Sequence, residues 1–141
     1  MSRRYINTSE QQTIIERAKR RCEYCQCPMD YSSQSFACEH IIPVAKGGET
    51  SLENLALACG GCNGYKYTKQ SAIDPTSSEN VPLYHPRQDT WLEQFAWSED
   101  GLELIGITPT GRATIEALNL NRAGVKNIRK LLVMANLHPP L

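Results

Sequence analysis

The sequence has no excess of charge of either sign: 15 Lys and Arg stand against 15 Asp and Glu in 141 residues. That excludes a polyanion binder working through bulk positive charge and leaves local patches as the electrostatic route to nucleic acid. No apolar run approaches the ~18–20 residues needed to cross a bilayer, so no membrane association is expected. Met1-Ser2-Arg3-Arg4 leads into polar residues without the apolar segment of a secretion signal, so a cytoplasmic location is expected. Internal repeats and low-complexity tracts are absent, which leaves one domain or a small motif with an extension. Histidine is scarce: of the three, His85 and His138 have no neighbours in sequence that would make a site. Hydrophobic residues, at 40%, are enough for a packed core.

Cysteine is plentiful, six residues without a secretion signal, and in a reducing compartment such thiols are more often metal ligands than disulfides. Four of them form two CxxC knuckles, Cys22-Glu23-Tyr24-Cys25 and Cys59-Gly60-Gly61-Cys62. Each knuckle can present two thiolates to one tetrahedral Zn²⁺. Gly60 and Gly61 suit a tight turn whose N–H groups point at sulfur. The 33 residues between the pairs exceed a common finger loop, so they must hold structure of their own, such as strand, loop and strand. Unmetallated thiols or a redox pair are the alternatives, and neither knuckle sits in the βαβ pattern of a redox fold. Cys27 and Cys38 are left over as small buried residues.

Charge is unevenly spread. Arg3, Arg4, Arg17, Lys19, Arg20 and Arg21 make the first segment basic, and Arg112, Arg122, Lys126, Arg129 and Lys130 do the same near the end. Between them, residues 71–103 hold Asp74, Glu79, Asp89, Glu93, Glu99, Asp100 and Glu103 against Arg87 alone. Solvated surface explains such runs, or the basic ends face phosphate. The pattern predicts a helix from Ser9 to Arg20 with a Ser9/Gln12 capping box, a strand from Phe36 to Val44, a strand from Leu55 to Ala58, and a helix from Cys62 to Gln70. Asp74–Asn80 reads as a linker. Trp91–Trp97 and Leu102–Ile107 read as a hairpin, with Trp91, Phe95 and Trp97 spaced for a core or for base stacking. Thr108-Pro109 opens a helix, and Asn121 is expected to cap a last one over 122–137.

The segment between the knuckles resembles a known family. Glu39-His40-Ile41-Ile42-Pro43, Gly47-Gly48, Leu52-Glu53-Asn54-Leu55 and Cys59-x-x-Cys62-Asn63-x-x-Lys66 together resemble the HNH endonuclease motif. The run from Tyr84-His85-Pro86-Arg87 to His138-Pro139-Pro140 is similar to the tail of standalone bacterial HNH proteins. The resemblance implies an α+β fold: a zinc-clamped ββα-metal (His-Me finger) core over residues 1–72 with an N-terminal helix, and a C-terminal extension over 73–141 made of a β-hairpin and two helices, packed on the core. It implies His40 as general base, an imidazole suited to accept a proton at neutral pH, and Asn54 as the residue that orients it and shapes the loop. Glu39 stands where the family binds a catalytic divalent ion and Asn63 where its last His or Asn stands, so both are expected to hold that ion; Lys66, three residues after Asn63 on the same helical face, is expected either to contact a substrate phosphate or to be a solvated lysine. An amide oxygen at Asn63 prefers hard cations, so Mg²⁺ or Mn²⁺ is expected in the catalytic site and Zn²⁺ in the structural one, held by Cys22, Cys25, Cys59 and Cys62. Neighbours on a regular strand face opposite ways, so Glu39 and His40 can share a site only if the strand bends or ends there.

The function this implies is metal-dependent hydrolysis of DNA phosphodiester bonds, by nicking or double-strand cleavage. The competing reading is a non-catalytic, zinc-stabilised nucleic-acid-binding module. A further expectation is a protein partner recruited by residues 84–141, whose acidic middle would repel DNA.

Overall fold

The first helix, α1 (Thr8–Arg17), is opened by Asn7, whose side chain accepts from the Glu10 N–H at 2.8 Å while Glu10 reaches back to the Asn7 N–H. In the computed structural model, which describes residues 4–140, this box replaces the expected Ser9/Gln12 one: Asn7 is already extended and supplies the better acceptor. Lys19 and Arg20 then take left-handed backbone conformations, which end the helix short of Arg20.

Residues up to Gln70, joined by His85–Gln88, form one compact unit. Its sheet is an antiparallel pair, β1 (Phe36–His40) and β2 (Leu55–Cys59), in register from Phe36 opposite Cys59 to His40 opposite Leu55. Every residue of β2 is buried. Ile14 of α1 meets Leu55 and Leu57 of β2 in the core, with Ile15, Phe36 and Leu52 around them. A short helix, α2 (Gly60–Lys66), follows β2 directly, with Cys59 as its N-cap. The strand predicted to run to Val44 stops at His40, because the Ile41 and Ile42 N–H groups turn to the Asn54 carbonyl and side chain, each at 2.8 Å. Arg87 joins this unit through an ion pair with Glu23, whose other oxygen accepts from the Leu57 N–H at 2.8 Å.

The second unit comprises Ser71–Tyr84 and the chain from Asp89 onward. The segment predicted to be a linker is the turn of a hairpin between β3 (Ser71–Ile73) and β4 (Asn80–Pro82). Asp74 closes that turn by accepting from the Thr76 and Ser77 N–H groups and the Ser77 hydroxyl. Trp91–Gln94 is a helical turn, α3, rather than the first half of a strand, and the helical spacing of Trp91 and Phe95 puts their rings 5.0 Å apart. The expected hairpin is therefore shorter, β5 (Phe95–Trp97) against β6 (Leu104–Gly106).

Thr108 caps α4 (Pro109–Leu118) as its sequence predicts, accepting from the Gly111 N–H at 2.9 Å. A Cβ on Gly111 would lie 2.1 Å from the Gln94 carbonyl oxygen, so only glycine allows that approach. The last helix, α5 (Ala123–Met134), has Arg122 at its N-cap position. Asn121 does not cap it. Its amide pairs with the Leu104 backbone at 2.7 and 2.9 Å and accepts from Arg129, a use that only the folded chain could show.

Asp74 is fully buried and gripped by both Arg112 Nε and Nη2 at 2.9 Å. The guanidinium holds the Asp74 carboxyl well below its usual range, with the Ser77 hydroxyl and two N–H groups helping. A depressed folded pKa contributes stability above the unfolded carboxylate value of about 4, and that stability is lost as pH falls toward the folded value. Both tryptophans, Trp91 and Trp97, lie in this unit and report on it. The thermal midpoint by tryptophan fluorescence should therefore fall by several degrees in Asp74→Asn at pH 6. The gap to wild type should narrow as pH drops below about 4; a gap independent of pH would contradict the pairing.

Candidate metal centre and active-site cavity

Folding brings the two knuckles together. The sulfurs of Cys22, Cys25, Cys59 and Cys62 are buried and lie within 4.8 Å of one another. Cys25 Sγ and Cys59 Sγ are 3.8 Å apart, and a tetrahedron with ~2.3 Å Zn–S bonds has edges of about 3.8 Å. The donor set fits zinc. The expected glycine N–H contacts to sulfur do not form: Gly60 donates to the Ser35 carbonyl and Gly61 to Gln34, while the Cys62 N–H points at Cys59 Sγ at 3.5 Å. Burial pushes the Cys22 thiol up, and hydrogen bonds from Cys22, Cys25 and Cys62 push the Cys59 thiol down. Cys27 is buried beside the cluster but outside it, and Cys38 is half-buried on β1.

A second constellation lies at the end of β1. Glu39, His40 and Asn63 line one cavity of about 300 Å³, together with Tyr67 and Thr68. The strand ends at His40, which is the condition under which adjacent residues can serve one site. His40 Nε2 is 2.8 Å from Thr50 Oγ1. Glu39 is 7% exposed; its Oε1 accepts from the Tyr24 hydroxyl and its Oε2 from Lys66 Nζ at 3.3 Å. Burial raises the Glu39 pKa, opposed by Lys66 and Tyr24. A carboxylate offers about four lone-pair positions, so two donors leave acceptor capacity for a hard cation beside Asn63.

Asn54 is buried, does not line that cavity, and works on backbone. Its Oδ1 accepts from the Ile42 N–H at 2.8 Å, and its Nδ2 donates to the Ile42 and Glu49 carbonyls at 3.0 and 2.8 Å. It thus closes the loop that carries Thr50 to His40. Gly48 sits inside the closure, where a Cβ would lie 1.8 Å from the Ile42 carbonyl oxygen. Asn54→Ala would strand these backbone groups, so a loss of about 1–3 kcal/mol is expected. Chemical denaturation followed by amide exchange of the 41–50 loop tests this; an unchanged midpoint with a protected loop would refute it.

Residues 22–69 match the HNH endonuclease family. They form an HNH domain. That family is one of endonucleases. The Septu protein PtuB of Bacillus thuringiensis is 26% identical over 140 residues, covering 86% of this chain and 50% of that protein. The chain thus spans about half the length of this curated relative. No solved structure matches it.

Within the HNH domain one candidate site residue lies elsewhere than expected. Lys66 does not stand at the surface to meet phosphate. It is 2% exposed, and its ammonium is spent on Glu39 and on the Ile41 carbonyl at 2.9 Å. Its long side chain folds inward because α2 packs against β1, where a buried carboxylate needs a cation. Two neighbours escaped the sequence reading. Thr50 is an ordinary residue at the end of a Gly-Gly loop, and Tyr24 lies inside a zinc knuckle, its position there being the one available hint.

Among the described residues, which leave out Arg3, the basic ends are largely paired within the chain. Arg4 pairs with Glu10, Arg20 with Asp30 and Arg112 with Asp74. Arg129 is 2% exposed, bonded to the Leu102 and Leu120 carbonyls, and stacked 5.2 Å over Trp97. Trp91 and Trp97 pack with Phe95 and His138, as core aromatics do. Among the described residues no helix is long and apolar enough to cross a membrane.

Proposed function

We propose that this chain is a metal-dependent HNH endonuclease that hydrolyses DNA phosphodiester bonds from a zinc-clamped ββα-metal core. The observation that carries the reading is the convergence of Glu39, His40 and Asn63 on one cavity at the end of β1. In this reading the HNH core spans residues 1–72 and the extension 73–141, the latter also offering a contact for a protein partner, and the enzyme works in the cytoplasm.

His40 acts as the general base. The imidazole, held by Thr50 through Nε2, takes a proton from water. The resulting hydroxide attacks phosphorus, the bond to the leaving sugar oxygen breaks, and that oxygen is protonated from solvent. Glu39 and Asn63 would hold a hard divalent ion, Mg²⁺ or Mn²⁺, which when bound supplies charge stabilisation at the phosphate. Tyr24 and Lys66 hold the Glu39 carboxylate in place, and Asn54 keeps the loop that orients His40.

The test is conversion of supercoiled plasmid to nicked or linear form by the zinc-loaded protein in Mg²⁺, Mn²⁺ or EDTA. Cleavage that needs the divalent ion is expected. Salt-dependent retention of DNA with no cleavage under any ion would instead establish a zinc-stabilised binding module.

A further inference from the structure

At the mouth of the cavity stands a residue that neither the zinc clamp nor the hydrolytic chemistry uses. Tyr67 follows the last residue of α2 and is 77% exposed, yet lines the cavity shared by Glu39, His40 and Asn63. Its backbone is unusual. Tyr67 has φ 48° and ψ −118°, in a turn closed by the Lys69 N–H on the Lys66 carbonyl at 2.9 Å. Those angles belong to the first central position of a type II′ turn, which glycine dominates because a Cβ there is strained.

Packing does not explain a tyrosine at this point, since most of its surface meets solvent. Glycine would relieve the strain and leave the turn intact. What a tyrosine adds is a flat aromatic face beside the cavity, carried on backbone fixed by the Tyr67 N–H bond to the Asn63 carbonyl at 3.0 Å. A phosphodiester entering the cavity brings a nucleobase within a nucleotide's length of its phosphorus. Stacking on an aromatic ring suits any base, because every base has a π-face.

Building on the nuclease reading, we infer that Tyr67 is a stacking platform for a nucleobase of the nucleic-acid strand whose phosphate enters the Glu39–His40–Asn63 cavity. Tyr67 is then a substrate-binding residue that sets affinity and base-stacking preference, while proton transfer stays with His40.

The experiment uses the full, zinc-loaded chain carrying His40→Ala, so that the probe stays intact, and an oligonucleotide containing 2-aminopurine, single-stranded and duplex. Quenching of 2-aminopurine on binding is expected. Adding Tyr67→Leu should abolish the quench and weaken binding about 5- to 150-fold, the worth of one stacked base. Tyr67→Phe and Tyr67→Trp should retain both. Leucine carries a backbone burden like that of tyrosine, so a folding defect is not the variable, and equal zinc content and thermal midpoints confirm it. Unchanged quench and affinity in the leucine variant overturns the platform. So does a phenylalanine variant as weak as the leucine one, or a parent protein that does not quench.

The platform and the nuclease reading fail separately. A Tyr67-dependent quench in a protein that cleaves under no divalent ion sinks the nuclease and keeps the platform. Cleavage by otherwise wild-type Tyr67→Leu with an unchanged KM sinks the platform and keeps the nuclease.

Discussion

Removing zinc should unfold the unit that contains α1, β1, β2 and α2. That unit rests on a small cluster, Ile14, Leu55 and Leu57, with partly buried neighbours. A core of this size in about 70 residues rarely supplies more than ~3–5 kcal/mol. Apparent zinc binding in comparable four-ligand sites contributes about 10–16 kcal/mol at neutral pH, and all of it is folding free energy when the site does not exist in the unfolded chain. Each pair of cysteines sits at a structural junction. Cys59 ends β2 and caps α2, and the first knuckle is tied to β2 by the Glu23 N–H on the Leu57 carbonyl at 2.9 Å. The native protein should therefore hold one zinc per chain. A strong chelator should abolish the dispersed amide signals of residues up to Gln70, and zinc should restore them. Cys59→Ser should do the same without chelator, whereas Cys27→Ser should leave the zinc stoichiometry unchanged. Tryptophan fluorescence is the wrong probe here, because Trp91 and Trp97 lie in the other unit. Retention of the amide pattern after complete zinc loss would remove the clamp from the account of this fold.

His40→Ala should lower cleavage about 10²- to 10⁴-fold, the usual worth of a positioned general base. The variant removes the ring that faces Thr50 and the cavity but touches neither the zinc cluster nor the Ile14–Leu55–Leu57 core. Zinc content and thermal midpoint should accordingly match wild type, and the plasmid assay in Mg²⁺ or Mn²⁺ reads the chemistry alone. A folded, zinc-loaded alanine variant that cuts as fast as wild type would end the assignment of His40. The expected effect is larger than that of Asn54→Ala, because Asn54 acts on backbone at one remove from the imidazole.

Several features were legible in the residues alone because short-range chemistry encodes them. Two CxxC knuckles specify a four-sulfur set by ligand type, whatever the intervening path. Thr108-Pro109 specifies a helix start, since the cap and its acceptor lie within one turn. The ordered residues between and around the knuckles resemble the HNH motif, and residues 22–69 match that family.

Tertiary structure decided the rest, and the reason is range. Lys66 reads as a surface cation until β1 delivers the Glu39 carboxylate from 27 residues away. Arg112 reads as part of a basic patch until Asp74, 38 residues distant, is buried beneath it. The 74–80 segment reads as a linker until that same carboxylate closes its turn and pairs β3 with β4. Charge and polarity along the chain say what each side chain can bond. Which partner it meets is set by packing that no local window contains.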